Sequence, residues 1–518
     1  MIAENKQKDI AANNKRIAKN TLMLYIRMLF MMGVSLFTSR VILQTLGVED
    51  YGIYNVVGGI ITMFTFINSA MISATQRYIT FALGQNDLEC LKRVFSTSLQ
   101  IHGLISLIIV ILSETLGLWF LYEKMIIPEN RMTAALWVYQ CSILVCIVSI
   151  MSVPYNAAIV AHEKMSAFAY ISILEVVLKL AIVYLLLVIP FDKLIIYAIL
   201  MFLVQLLIRL VYSFYCNKHF EESIYKHVID KPLLKEMSGF AGWNFWGSFS
   251  VLCCNQGVNL LLNIFFGPIV NAARGIATTV QAAVNNFSSN FQVALNPQII
   301  KTYAAGNLEE HRKLIFISAK FSALLLMIIS LPILLETGTI LRLWLGDVPE
   351  HTINFVRLIL LISIWDSAAY PLATSIQATG YVKKYQLYVG SVILLIIPVS
   401  YFIFQFYSLP ELALIVHLFI AILAQLVRLW FVRKYVQISI KRFVIQVYIP
   451  FILAFVLSYI IPYFLRDMIL GNDLIRLFTI SLISFISSLV ITYIIALNSK
   501  ERDFVHRSML KIIQKIKQ

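Results

Sequence analysis

Long apolar runs separated by short polar connections set the pattern of this chain from residue 21 onward. Runs of eighteen or more residues fall near 21–44, 52–74, 96–121, 133–153, 166–189, 194–216 and 238–266, then near 272–295, 314–336, 352–376, 386–407, 411–431, 443–465 and 474–497. Each is long enough to cross a hydrocarbon core of ~30 Å as a helix rising ~1.5 Å per residue. The pattern predicts an all-α polytopic membrane protein with about 14 transmembrane helices. No connection is long enough to fold as a separate soluble domain.

One run breaks the apolar rule. From Arg274 to Asn296, the residues Arg274, Thr278, Gln281, Asn285, Ser288, Ser289, Gln292 and Asn296 recur at spacings of three and four, which places them on one helical face. Phe287 and Phe291 fall elsewhere. A polar stripe of bilayer depth cannot face lipid, where each unmet polar group is costly. It lines a hydrated, substrate-sized cavity or serves as glue between packed helices. Glue usually needs one or two such residues, so the length of the stripe favours the cavity.

Composition agrees: 60% of the 518 residues are hydrophobic, 13% are charged and mean hydropathy is +0.82. The formal charge of +15 points to nucleic acid only until its distribution is read. Roughly 28 of the 42 Lys and Arg lie on one set of alternate connections and about 5 on the other, the rest falling inside spans. This asymmetry is a topology signal that makes both termini cytoplasmic, with no nucleic-acid partner implied. Residues 1–20 are polar and basic, which reads as no signal peptide. The tail 498–518 reads as a basic amphipathic stretch on the cytoplasmic membrane surface. Six cysteines show no metal-ligand spacing, so no metal or cofactor is expected.

The chain also repeats itself. LGVEDYGIYN near residue 46 is echoed by FGPIVNAARG near residue 266, with Gly47 and Gly267 offset by 220. Leu88, Glu89, Lys92 and Arg93 match Leu308, Glu309, Arg312 and Lys313 at the same offset. Pro154, Ile159 and Ala161 match Pro371, Ile376 and Ala378 at 217. An even number of spans per unit makes the repeats parallel, a recurrent transporter plan with the site at their interface. The expected layout is a cytoplasmic segment 1–20, an N-lobe 21–216 and a cytoplasmic inter-lobe loop 217–237. A C-lobe 238–431 follows, with two further spans over 443–497 outside the repeat.

Charges inside spans are expensive and so mark function by default. Arg27 and Arg40 share the first span but lie about 220° apart around it; Arg77 ends the second and Arg274 begins the stripe. Glu175 and Lys179, spaced i, i+4, can neutralise each other. Glu114, Glu175, Glu336 and Asp366 are the carboxylates available for proton or sodium coupling. Lys320, Arg428 and Arg476 lie near span ends and are expected to snorkel to the interface. His102 and His417 are expected to be packed.

LGVEDYGIYNVV, PYNAAIVAHEKM and FGPIVNAARGIATTVQAAVNNFSSNFQVALNPQIIKTYAAGN resemble the Wzx-type polysaccharide flippases of the multidrug/oligosaccharidyl-lipid/polysaccharide exporter superfamily. The resemblance spans most of 20–435. It implies two six-helix lobes around a central cleft, plus two extra helices. It further implies alternating-access transfer of undecaprenyl-diphosphate-linked oligosaccharide to the outer leaflet of the bacterial inner membrane for O-antigen or capsule synthesis. Membrane lipids surround the chain, and a polysaccharide polymerase and a chain-length regulator are the implied partners. The multidrug branch typically carries an acidic residue in its first span, where this chain has Arg27 and Arg40. Arg27, Arg40, Arg77 and Arg274 are therefore expected to hold the diphosphate, since guanidinium is forked and permanently charged. Thr278, Gln281, Asn285, Ser289, Gln292 and Asn296 are expected to meet the sugar. The alternatives are a lipid II flippase, a multidrug cation antiporter, and a polytopic glycosyltransferase or polymerase using Glu49 and Asp50 of the first outer loop.

Overall fold

The computed structural model describes residues 20–503, apart from 35–36, 39–40, 43–44, 48–49, 51–52, 55–56, 59–64, 124, 126, 226–229, 467–471 and 500. Every regular element among the described residues is helical. The fourteen longest are, in chain order, α1 (Asn20–Val34), α2 (Thr65–Gln85), α3 (Leu88–Glu123), α4 (Glu129–Ala161), α5 (Met165–Val188), α6 (Lys193–His219) and α7 (Lys231–Phe266). Then come α8 (Pro268–Ala304), α9 (Leu308–Leu335), α10 (Thr352–Thr379), α11 (Val382–Phe404), α12 (Leu412–Val436), α13 (Ile440–Leu465) and α14 (Asp473–Ala496). Eleven are long and apolar enough to cross a membrane; α1, α2 and α8 are the others. The 37 residues of α8 give ample length at ~1.5 Å each, so it is the polar stripe that lowers its hydropathy. The expected membrane fold of about 14 helices is therefore present.

The repeat reappears in the backbone. Gly47 and Gly267 both sit at φ 82°, Asn86 at 55° matches Gly306 at 72°, and Glu163 at 58° matches Gly380 at 82°. These left-handed turns fall at the offsets of the sequence echoes. In the third pair glycine is replaced by a glutamate, which bears a steric penalty in this conformation.

The chain divides into two compact units, Met1–Phe249 with Val293–Asn307, and Ser250–Gln292 with Leu308–Gln518. The division passes through α7 and α8, so the stripe from Arg274 to Gln292 falls in the second unit, and Asn296 with the last turns of α8 in the first.

In the first unit α4 is the central helix, 61% buried over its most apolar stretch. Val138, Tyr139 and Ala135 sit in its core cluster with Ile109 of α3 and Leu194 and Ala198 of α6. The buried Tyr139 hydroxyl donates to the Ser113 carbonyl at 2.7 Å. Gly117 makes room for it, since a Cβ there would lie 2.0 Å from the Tyr139 oxygen.

In the second unit α9 and α10 are central, 61% and 67% buried, and α13 and α14 pack on α9. Three basic residues expected to snorkel do not. Lys320 is 5% exposed; its ammonium donates to the Ala496 carbonyl at 3.1 Å and pairs with Glu501 at 2.5 Å. Arg476 pairs with Asp473 at 3.0 Å, approaches Glu336 at 3.4 Å and donates to Thr339 at 3.1 Å. Arg428 faces Asp366 of α10 at 3.9 Å. Snorkelling relieves a charge that lacks a local partner; here packing supplies a carboxylate or carbonyl within reach. The first two ties fasten α14 and the chain after it to the second unit.

Candidate functional site

Within the first unit, Arg27 of α1 reaches α5. Its Nη1 donates to the Ser172 hydroxyl at 3.2 Å and its guanidinium lies 4.6 Å from the Phe168 ring centre. One turn on, Glu175 accepts from Lys179 at 2.6 Å, the i, i+4 neutralisation that the spacing predicts. Arg77 is 6% exposed and sits among the rings of Tyr78, Phe81 and Phe240 at 4.5–5.3 Å. Arg40 lies outside the described residues.

In the second unit Arg274 is 2% exposed, with Nε and Nη1 making no hydrogen bond among the described residues. The stripe divides in role below it. Gln281 donates to Ser363 of α10 at 2.8 Å, and Gln292 donates to Ser288 at 3.1 Å and to the Ser367 carbonyl at 3.4 Å. These two bind α8 to α10. Thr278 and Ser289 turn their hydroxyls back to the Gly275 and Asn286 carbonyls, and Ser289 is exposed, while Asn285 and Asn296 are half-buried.

Helix α10 breaks where the stripe meets it. Its first segment ends at Ser367 and its second begins at Tyr370, with Pro371 next, because proline has no N–H to continue the ladder and restricts the residue before it. Asp366, one-third exposed, faces Arg428 at the break. Discontinuous helices with polar side chains at the break are characteristic of transporter sites. Of the other carboxylates, Glu336 is fully buried and accepts from Thr339 at 2.6 Å. Glu114 is exposed and accepts from Gln140 at 3.3 Å. His102 is fully buried against the Ser98 carbonyl at 2.6 Å.

Two features are not legible as site residues in the sequence. The first is Glu163, in the left-handed turn between α4 and α5. Its side chain is 1% exposed, accepting from Lys301 at 2.9 Å and from Gln298 at 2.6 Å, both on the last turns of α8. Its backbone carbonyl accepts from Asn20 at 3.2 Å. Beside it α8 meets α2 at Gly84, where a Cβ would lie 2.7 Å from that of Ala304 and 2.9 Å from the Lys301 carbonyl oxygen. The usable signal was the repeat, which sets Glu163 against Gly380.

The second is a pair of clamps at the opposite helix ends. Arg131 donates to Asp192 at 2.6 Å and to Asp50 at 2.8 Å. In the second unit His351 contacts Glu411 at 2.8 Å, at offsets of 220 and 219. Burial pushes the Asp192 carboxyl up, but hydrogen bonds from Arg131 and from the Ile195 and Leu194 amides outweigh it and hold it below the usual range. This clamp is therefore complete above the ordinary carboxylate value and is lost as pH falls through the lowered one. Asp50 is engaged by Arg131, and Glu49 lies outside the described residues. Of the two carboxylates an enzyme would use there, the described one is already spent on structure.

No family model and no curated protein matches the sequence. Solved structures do match the fold. A multidrug resistance MATE family transporter of the MOP superfamily, in an outward-facing conformation, gives a TM-score of 0.69 at 14% identity over 81% of this chain and 96% of that one. MATE in the bent conformation gives 0.70 at 12% identity, over 82% and 96%. A Vibrio cholerae MATE transporter, VcmN, gives 0.64 at 16% identity, over 82% and 98%. With eleven membrane-length apolar helices among its described residues, this multi-pass membrane chain has the fold of these MATE transporters.

Proposed function

We propose that the chain is a flippase that moves undecaprenyl-diphosphate-linked oligosaccharide from the cytoplasmic to the outer leaflet of the bacterial inner membrane, by alternating access. The observation that carries this reading is Arg27, a guanidinium that donates to Ser172 and lies over Phe168, in a first span whose sequence holds no carboxylate. An arginine within a span costs roughly 2.5–3.5 kcal/mol on the lenient insertion scale, and a diphosphate crossing the membrane is a ligand that repays it. Arg40, Arg77 and Arg274 extend the anion-binding set. Thr278, Asn285, Ser289 and Asn296 offer the sugar hydroxyls partners, with Gln281 and Gln292 divided between that task and holding α10. Both termini lie in the cytoplasm. Proton or sodium coupling falls to the intramembrane carboxylates Glu114, Glu175, Glu336 and Asp366, and polymerase and chain-length regulator act on the delivered lipid.

A second reading, a multidrug cation antiporter, is favoured by the printed names of the structural neighbours and by the accessibility of Asp366. The two separate in cells. Depleting a flippase causes sugar-bearing undecaprenyl diphosphate to accumulate on the cytoplasmic side and surface glycan to fall. Depleting an antiporter leaves both unchanged and raises sensitivity to cationic drugs, a result that would overturn the flippase assignment.

A further inference from the structure

The two repeats part company at the break in α10. In the first unit the corresponding helix α4 runs unbroken through Pro154, and Val153 before that proline is buried at 2%. In the second unit the residue before the equivalent proline is Tyr370, and 53% of its surface is exposed. The arginines of the sixth helix in each repeat, Arg209 and Arg428, differ in the same way. Arg209 lies over the Tyr155 ring, 4.0 Å from its centre, whereas Arg428 faces the accessible carboxylate of Asp366 at 3.9 Å.

The accessible face of α10 has a telling composition. This helix is 67% buried over its most apolar stretch, more than any other of the eleven apolar spans, yet past its middle Asp366, Tyr370 and Gln377, which share one face with Ala373, stay wholly or partly accessible. Lipid-facing positions on α12 are instead residues such as Phe419, Leu423 and Leu426. A face rich in charge, amide and phenol meets water or a polar ligand rather than acyl chains.

We propose that Tyr370 is a stacking platform for a pyranose ring, with the Asp366–Arg428 pair beside it as the partner of the ring hydroxyls. This deepens, and rests on, the oligosaccharide reading above. The C–H face of a sugar packs on an aromatic ring, and Tyr supplies a large flat apolar area at little conformational cost. Carboxylate and guanidinium together offer acceptor and donors for hydroxyls, as charge-assisted hydrogen bonds. A lone carboxylate beside Tyr370 would suit an organic cation equally well. Arg428 changes that balance: its charge 3.9 Å from Asp366 leaves the pair close to neutral, which favours an uncharged polyhydroxylic ligand.

The test uses the purified full chain in nanodiscs, with two probes: undecaprenyl diphosphate carrying the cell's oligosaccharide, and undecaprenyl diphosphate without sugar. The sugar-bearing lipid is expected to bind more tightly. Tyr370→Ala should weaken its binding about tenfold while leaving the bare lipid and the melting temperature unchanged, and Tyr370→Phe should retain the advantage. An undiminished advantage in Tyr370→Ala overturns the platform but leaves the flippase reading intact. Equal loss of both lipids in a folded Tyr370→Ala protein also overturns it, since the role would not be sugar-specific. If the wild-type chain binds neither lipid, the flippase reading falls and the platform with it. If Tyr370→Ala abolishes binding of tetraphenylphosphonium and spares the sugar advantage, the ring serves a cation instead.

Discussion

Arg27→Ala is expected to abolish glycan display while the chain stays in the membrane at close to its normal level. A structural arginine would pair with a carboxylate such as Glu175 or Asp366, and its removal would strand that charge at about 3–5 kcal/mol. Glu175 already holds Lys179 at 2.6 Å, and Asp366 faces Arg428. Among the contacts that Arg27→Ala takes away, the 3.2 Å bond to Ser172 and the contact with the Phe168 ring are together worth about 1–2 kcal/mol. Folding survives a loss of that size, whereas a diphosphate site does not survive the loss of its cation. Arg27→Lys should keep partial display, because the charge remains and the forked geometry does not. Membrane level and surface glycan measured in the same cells check this. A parallel fall in both would mark Arg27 as structural, and normal display at normal level would remove it from the site.

The largest expected effect on stability is at Glu163. Glu163→Ala should lower the unfolding free energy by about 3 kcal/mol, since it leaves the Lys301 ammonium and the Gln298 amide without their buried acceptor. Backbone strain and carboxylate can be separated, because the equivalent position in the second repeat is Gly380. Glu163→Gly relieves the left-handed conformation, worth about 1 kcal/mol, and so should lie between alanine and wild type. Thermal or denaturant melting of the purified variants gives the order. An alanine variant as stable as wild type, with the glycine variant more stable than either, would show that the carboxylate contributes nothing and that the ion pair only follows the packing.

The membrane fold was legible in the sequence because apolar runs of span length have few other uses, and because the echoes at 217–220 reappear as paired left-handed turns. The stripe on α8 was legible as a face, yet its division was not. Gln281 and Gln292 hold α10 through Ser363 and Ser367, and nothing in the spacing of one helix names its neighbour. The snorkelling expectation for Lys320, Arg428 and Arg476 failed for the same reason: distance from a span end says nothing about a carboxylate on another helix. The break before Tyr370 had a signal in Pro371, but Pro154 lies in an unbroken α4, so proline alone did not decide it.

The most direct measurement places the purified chain in liposomes with undecaprenyl-diphosphate-linked oligosaccharide distributed over both leaflets. A membrane-impermeant glycosidase added outside reads how much of the sugar is reachable. The flippase account predicts that the wild-type chain makes the inner-leaflet pool reachable too, while Arg27→Ala leaves it protected as in protein-free vesicles. A protected inner pool with the wild-type chain, in vesicles that extrude an organic cation when a proton or sodium gradient is imposed, would contradict it.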